Sequence, residues 1–268
     1  MTSAPILPGC RLSSIVTALL IVIGGIGEAF AAEGCPDITG EIDTDRPDVT
    51  NSSRVVPTGS LQSENGVNWT GQRRSGVLDL TNSRLRLGVA YCAEILVDVP
   101  TYFYPLHGVA PRGFSDVAPA VKRQFEGLPG DFVASAVAGI GMPTGAKTIS
   151  GPSYNPYLQL PWSREITEGW SVHGMFTHFW FPGQPGSNAA YQLTFSVERE
   201  VGAHADLFAE YVGDYPNHDG PRHVLNLGGA WRVTATQQVD FHTGVGFNNR
   251  SPSYFFGLGY SFRFDSLF

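Results

Sequence analysis

The chain has 268 residues, of which 15% are charged and 12% aromatic, with 32 glycines and a formal net charge of −7. That balance offers no basic face to a nucleic acid, and a mean hydropathy of −0.05 is what alternating polar and apolar residues produce. Beyond residue 31 no apolar run approaches the ~20 residues of a spanning helix, so a helical membrane protein is excluded.

Arg11 precedes an apolar stretch from Ile15 to Ile26, and Ala29-Phe30-Ala31 follows Glu28. This is the form of a secretory signal peptide, with cleavage expected after Ala31. A membrane anchor is the other reading, but the stretch is short for a span. Residues 1–31 are therefore assigned to export, and, on the strand pattern set out below, the mature chain to the cell outer membrane.

Residues 32–58 lack any strand pattern and are acidic at Asp37, Glu41, Asp43, Asp45 and Asp48. They read as a short periplasmic segment that folds into a barrel mouth as a plug, or as a disordered tail. A calcium site on Asp43, Asp45 and Asp48 is a third reading, although the glycine and distal glutamate of a calcium loop are missing. No metal or other cofactor is expected. Cys10 leaves with the signal, so Cys35 and Cys92 remain, an even count for an oxidising compartment. A disulfide between them would tether the plug to the barrel rim.

From residue 59 to 268 the dominant signal is period-two alternation, which shows successive side chains to opposite faces of a strand. Leu85, Leu87 and Val89 alternate with Arg84, Arg86 and Gly88, and Ile95, Val97 and Val99 with Glu94, Leu96 and Asp98. Tyr191, Leu193, Phe195 and Val197 alternate with Gln192, Thr194, Ser196 and Glu198. At the end, Tyr254, Phe256, Leu258, Tyr260, Phe262 and Phe264 alternate with Ser253, Phe255, Gly257, Gly259, Ser261 and Arg263. Twelve such segments are counted, near 60–70, 77–89, 94–104, 113–125, 131–141, 153–164, 169–181, 189–200, 204–214, 221–232, 237–247 and 253–264. Segments of about ten residues suit a tilted bilayer crossing, whereas sandwich strands run to ~5–6. The fold class is therefore all-β, a transmembrane antiparallel up-and-down barrel of about 12 strands. Pro156 and Pro161 are the features that sit worst with it. Trp69, Tyr104, Trp162, Trp170, Trp180, Trp231 and Tyr254 fall near strand ends, as an interfacial girdle requires.

The run Asp43-Thr44-Asp45-Arg46-Pro47-Asp48, followed by Val56-Pro57-Thr58-Gly59 and Gln62-x-Glu64, resembles the outer-membrane transporter family linked to the meta-pathway of phenol degradation. Leu85-Arg86-Leu87-Gly88, Gly113-x-Ser115-Asp116-Val117 with Lys122, and Pro143-Thr144-Gly145 add to the likeness. The resemblance implies an outer-membrane pore or transporter for small solutes, aromatic or apolar ones among them. It carries over no established site residues.

On the alternation, Arg84, Arg86, Glu94, Asp98, Asp116, Lys122, Glu198, Asp206, Glu210, Arg232, Asp240 and Arg263 would face the lumen. They would either pair across strands and fill it, or form a constriction that selects solutes by charge. Twelve strands leave a narrow or partly plugged path. Partners expected are outer-membrane lipid, a small solute, and the barrel assembly machinery through the last strand and its terminal Phe268. A lipid-acting barrel enzyme is the rival class, as is a structural barrel without transport. His173, His178, His204 and His242, with Ser171 and Ser196, form no recognisable nucleophile motif, so no catalytic residue is assigned.

Overall fold

A computed structural model describes residues 35–90, 92–125, 127–182, 189–217 and 219–268. The export segment assigned to 1–31 lies outside them. Fifteen strands form one antiparallel sheet that closes on itself: β1 (Leu61–Gln72), β2 (Ser75–Leu80), β3 (Ser83–Ala90), β4 (Ala93–Val99), β5 (Tyr102–His107), β6 (Gly113–Phe114), β7 (Ala118–Phe125), β8 (Phe132–Gly141), β9 (Asn155–Thr167), β10 (Trp170–Trp180), β11 (Ala189–Val201), β12 (Ala205–Pro216), β13 (Arg222–Thr234), β14 (Gln237–Gly246) and β15 (Tyr254–Phe264). Closure comes from β1 against β15, in register from Leu61↔Phe264 to Gly71↔Tyr254.

The strands make twelve staves, because three staves are each broken once. β1 pairs with β3 below a break at Thr81-Asn82 and with β2 above it. β4 and β5 part at Pro100-Thr101, and β6 and β7 at residues 115–117. These breaks lie on adjacent staves and are stitched across: Thr101 and Ser115 exchange two bonds, at 2.8 and 2.9 Å. Above them β2, β5 and β6 form a flap at one end of the barrel. Elsewhere β8 and β9 keep one register on both sides of Pro161, but the pairs Ser135–Pro161 and Ala136–Leu160 are missing. Pro161 has no N–H to donate, so the strand survives and the ladder has a local gap.

The distribution of side chains is that of a soluble protein turned inside out. Arg86, Lys122, Glu64, Glu94 and Glu210 are among the largest fully buried side chains, while Leu193, Phe241, Trp231 and Leu258 are exposed on the outer wall. Ser261 on β15 is 0% accessible and Leu258 on the same strand 54%. A closed barrel leaves no unpaired strand edge, which is what a strand-built structure in hydrocarbon needs. Short turns such as Glu168-Gly169 and Gly202-Ala203-His204 lie at the end that carries both Ser60 and Asp265, and the longer connections lie at the other. By that asymmetry the turn end is periplasmic. The lumen is not wholly polar, however: Leu96, Ala120 and Val137 with Tyr157 make a small apolar cluster on its wall.

Candidate functional site

Residues 42–58 run inside the barrel, and residues 35–41 lie at its mouth. Backbone bonds join Ile42 to Ala235 and Gly59 and Ser60 to Gly88; the other buried amides and carbonyls need different partners, and wall side chains supply many of them. Glu64 on β1 accepts from the Asp45 amide at 3.0 Å. Glu210 on β12 accepts from the amides of Val49 and Thr50 at 2.9 and 2.7 Å, and from the Thr50 hydroxyl. Gln124 on β7 takes the Val55 amide and Glu94 on β4 the Val56 amide. Arg263 on β15 donates to the carbonyls of Ile38, Gly40 and Glu41. The segment thus rises from the periplasmic end to Val49–Asn51 and returns to β1.

Its centre is Asp45. The carboxylate meets Arg84 at 2.9 Å, Lys122 at 3.3 Å and Arg86 at 3.4 Å. Arg86 also pairs with Glu64 and Glu94 at 2.9 and 3.0 Å, Lys122 with Glu94 at 3.5 Å, and Arg84 with Asp98 at 2.6 Å. Burial alone would raise the Asp45 carboxyl, but the charges of Arg86, Lys122 and Arg84 outweigh it and hold the group well below the usual carboxylate range. Removing a single partner from such a buried network leaves an uncompensated charge.

A second anchor sits at the seam where the barrel closes. Arg46 pairs with Asp240 on β14 at 3.2 Å. Its guanidinium occupies a dent made by two glycines paired across β1 and β15, Gly66 and Gly259. A methyl group at Gly66 would stand 2.3 Å from that guanidinium, and one at Gly259 2.4 Å from the Asp240 carboxylate. His242 donates through Nδ1 to the Pro47 carbonyl at 2.6 Å. Lower down, Arg232 holds Glu41 at 2.8 Å as well as Asp206, and a disulfide joins Cys35 to Cys92 in the β3–β4 turn, with Cα atoms 5.3 Å apart.

Most of the lumen residues named from the alternation therefore contact the plug or its first neighbours: Arg84, Arg86, Glu94, Asp98, Lys122, Asp206, Glu210, Arg232, Asp240 and Arg263. Asp116 does not. It lies in the break between β6 and β7 and accepts from the Gly145 amide at 2.8 Å, bracing an outer loop. Glu198 faces the lumen beside His173, 4.0 Å from Nε2, and the Ser171 hydroxyl lies 2.7 Å from that same nitrogen. Hydroxyl and carboxylate thus crowd one ring atom instead of flanking the imidazole, which is not the geometry of a base oriented toward a nucleophile. Asp43, Asp45 and Asp48 do not converge, and no group of three or more acidic, histidine or cysteine side chains able to hold a metal occurs among the described residues.

Two cavities flank the plug. One of about 580 Å³ opens toward its periplasmic side, against His173, Glu198, Asp206 and Arg232. The other, about 250 Å³, lies against Asn68, Asn82, Arg84 and Asp98. Arg46, Pro47 and Asp48 line both, so the Arg-Pro-Asp run borders the two cavities.

The family model described as "Putative MetA-pathway of phenol degradation" matches residues 44–264. The chain belongs to this family. The match begins within the plug, at Thr44, and ends on the last strand. Among solved structures, this family member resembles an outer membrane channel from Pseudomonas putida F1, at 11% identity and a TM-score of 0.61, over 80% of this chain and 98% of that one. It also resembles NanC porin, at 8% identity and a TM-score of 0.55, over 75% of this chain and 98% of that one. A third likeness is to KdgM porin, at 10% identity and a TM-score of 0.54, over 76% and 99%. At these identities the likeness is one of fold, an outer-membrane barrel. No curated protein matches the chain.

Gly66, Gly259, Gln62, Gln238 and His242 belong to the plug seat without having been singled out as site residues. Their signal was available only in part. Gln62 and Glu64 stand on the inward parity of β1, and a glycine on an inward position beside charged neighbours marks room for a large group.

Proposed function

We propose that this barrel is an outer-membrane channel for small solutes whose lumen is held closed by its own N-terminal segment. The observation that carries the reading is the pair of cavities bordered by Arg46, Pro47 and Asp48. Movement of that run would join the two cavities. The solutes we assign are small and aromatic or apolar. The family's connection with phenol degradation and the apolar patch of Leu96, Val137 and Tyr157 on the lumen wall support that choice. Export through residues 1–31, and delivery to the membrane through recognition of β15 and Phe268 by the assembly machinery, complete the proposal.

The test is conductance of the full chain in a planar bilayer, with Arg46→Ala beside the wild type. The wild type should show rare, small openings, and the variant a larger and more persistent conductance with an unchanged heat-modifiable band. Identical traces from the two would show that the Arg46 run is no barrier. Uptake of phenol and of a similar-sized sugar into liposomes then separates the solute assignment from the gating one.

A further inference from the structure

One corner of the loop end joins exposed cations to an aromatic stretch of the outer wall. Phe256, Trp69, Leu78 and Tyr104 are direct cross-strand neighbours through β15, β1, β2 and β5. Directly opposed residues of antiparallel strands share a face. Phe256 stands on the lipid-facing side of β15, so Tyr104 does as well. Tyr102 and Phe114 continue this face onto β6, edge to face at 4.9 Å, and Leu106 and Val109 beside them are exposed. Arg112 folds back onto the same surface: its Nε donates to the Tyr102 hydroxyl at 3.0 Å, and its guanidinium lies 5.4 Å over the Tyr104 ring.

Two more cations share the corner. The backbone of Gly108 packs against that of Arg74, and Thr148, adjacent to Lys147, donates to the Arg112 carbonyl at 3.1 Å. Arg74, Arg112 and Lys147 are all exposed, and none makes an ion pair with a described residue. Cations at the rim of an aromatic belt stand at headgroup depth, where anionic lipid draws them. Guanidinium suits phosphate because it donates two parallel bonds.

We propose that Arg74, Arg112 and Lys147 form a site for the phosphate of a lipid headgroup in the loop-side leaflet. The lipid, not a soluble anion, is assigned because Arg112 is laid over rings of the outer wall and is turned away from the lumen. The site is independent of the channel reading and requires only that the barrel sits in a membrane.

Native mass spectrometry on the full chain in neutral detergent tests it, with bisphosphorylated lipid A and its dephosphorylated form as probes. The folded protein should retain the phosphorylated form preferentially. Replacing all three cations by glutamine should lower retention roughly tenfold or more, whereas R222Q with R250Q, on other loops, should leave it nearly unchanged. Should the triple variant lose its compact band, R74Q with K147Q leaves the Tyr102 contact intact and should still weaken retention. Equal retention of both lipid forms, or no difference between the triple variant and wild type, would overturn the site. Displacement of the lipid by inorganic phosphate would overturn the lipid assignment and leave a soluble-anion site.

Discussion

At the scale of single residues, the plug is held by groups that differ sharply in what they contribute. Asp45 offers its side chain to three cations, whereas Asp43 offers its carbonyl to Gln62 and Arg86. Asp45→Asn should therefore cost roughly 3–5 kcal/mol, the usual consequence of stranding buried charges, and Asp43→Asn should cost little. The urea midpoint of the compact band on gels reads the difference. Gly66→Ala acts by displacement: the incoming methyl meets the flexible end of Arg46, so the barrel should fold normally while Arg46 loses Asp240 and openings become more frequent. Asp48 gives the plug a pH dependence. Burial first, then the carboxylates of Glu210 and Glu198, push its carboxyl well above the ordinary range. A raised folded pKa stabilises the seated plug fully below the unfolded value of about 3.9, and the contribution fades as pH rises through the folded value. Asp45 has the opposite sign, contributing above about 3.9 and losing that contribution only as pH falls through its depressed value. Openings should thus grow more frequent as pH rises, and Asp48→Asn should flatten that rise. Arg84 and Arg86 were legible as inward residues because strands have period two. Their partner Asp45 was not, since an irregular segment carries no periodicity that states where it goes.

At the scale of elements, the staves were readable almost end to end, and the failures have a physical cause. The sequence shows alternation but not where a stave kinks, so the breaks at Thr81-Asn82 and Pro100-Thr101 were invisible. Pro156 and Pro161 weakened the reading of β9, yet the ladder tolerates Pro161 by giving up two pairs and resuming in register. The plug is the least regular element and the most dependent on its tether. With 57 residues separating Cys35 from Cys92, the bond is worth about 4 kcal/mol on a chain-entropy account. Since both cysteines sit at the turn end, reduction should free the lower limb of the plug while the Asp45 cluster retains the upper one. Cys35→Ser with Cys92→Ser should leave the barrel's compact band in place and raise the rate at which protease reaches residues 36–44. An unchanged cleavage rate would mean that Arg263 and Arg232 hold this limb unaided.

At the scale of the molecule, the plug takes up the middle of the lumen between two cavities, and the wall's charges serve a segment of its own chain. The lumen's polarity was legible in the sequence. Its use was not, because a carboxylate that receives a backbone amide looks in sequence like one that selects ions. The seam adds a constraint on the order of events in assembly. The dent that receives Arg46 takes Gly66 from the first strand and Gly259 from the last, with Asp240 from the strand before it. Until β15 arrives that dent lacks its Gly259 wall, and Arg46 has no complete seat. Seating of Arg46 thus depends on the last strand having closed against the first, whereas the Asp45 cluster draws on β3 and β7 and does not.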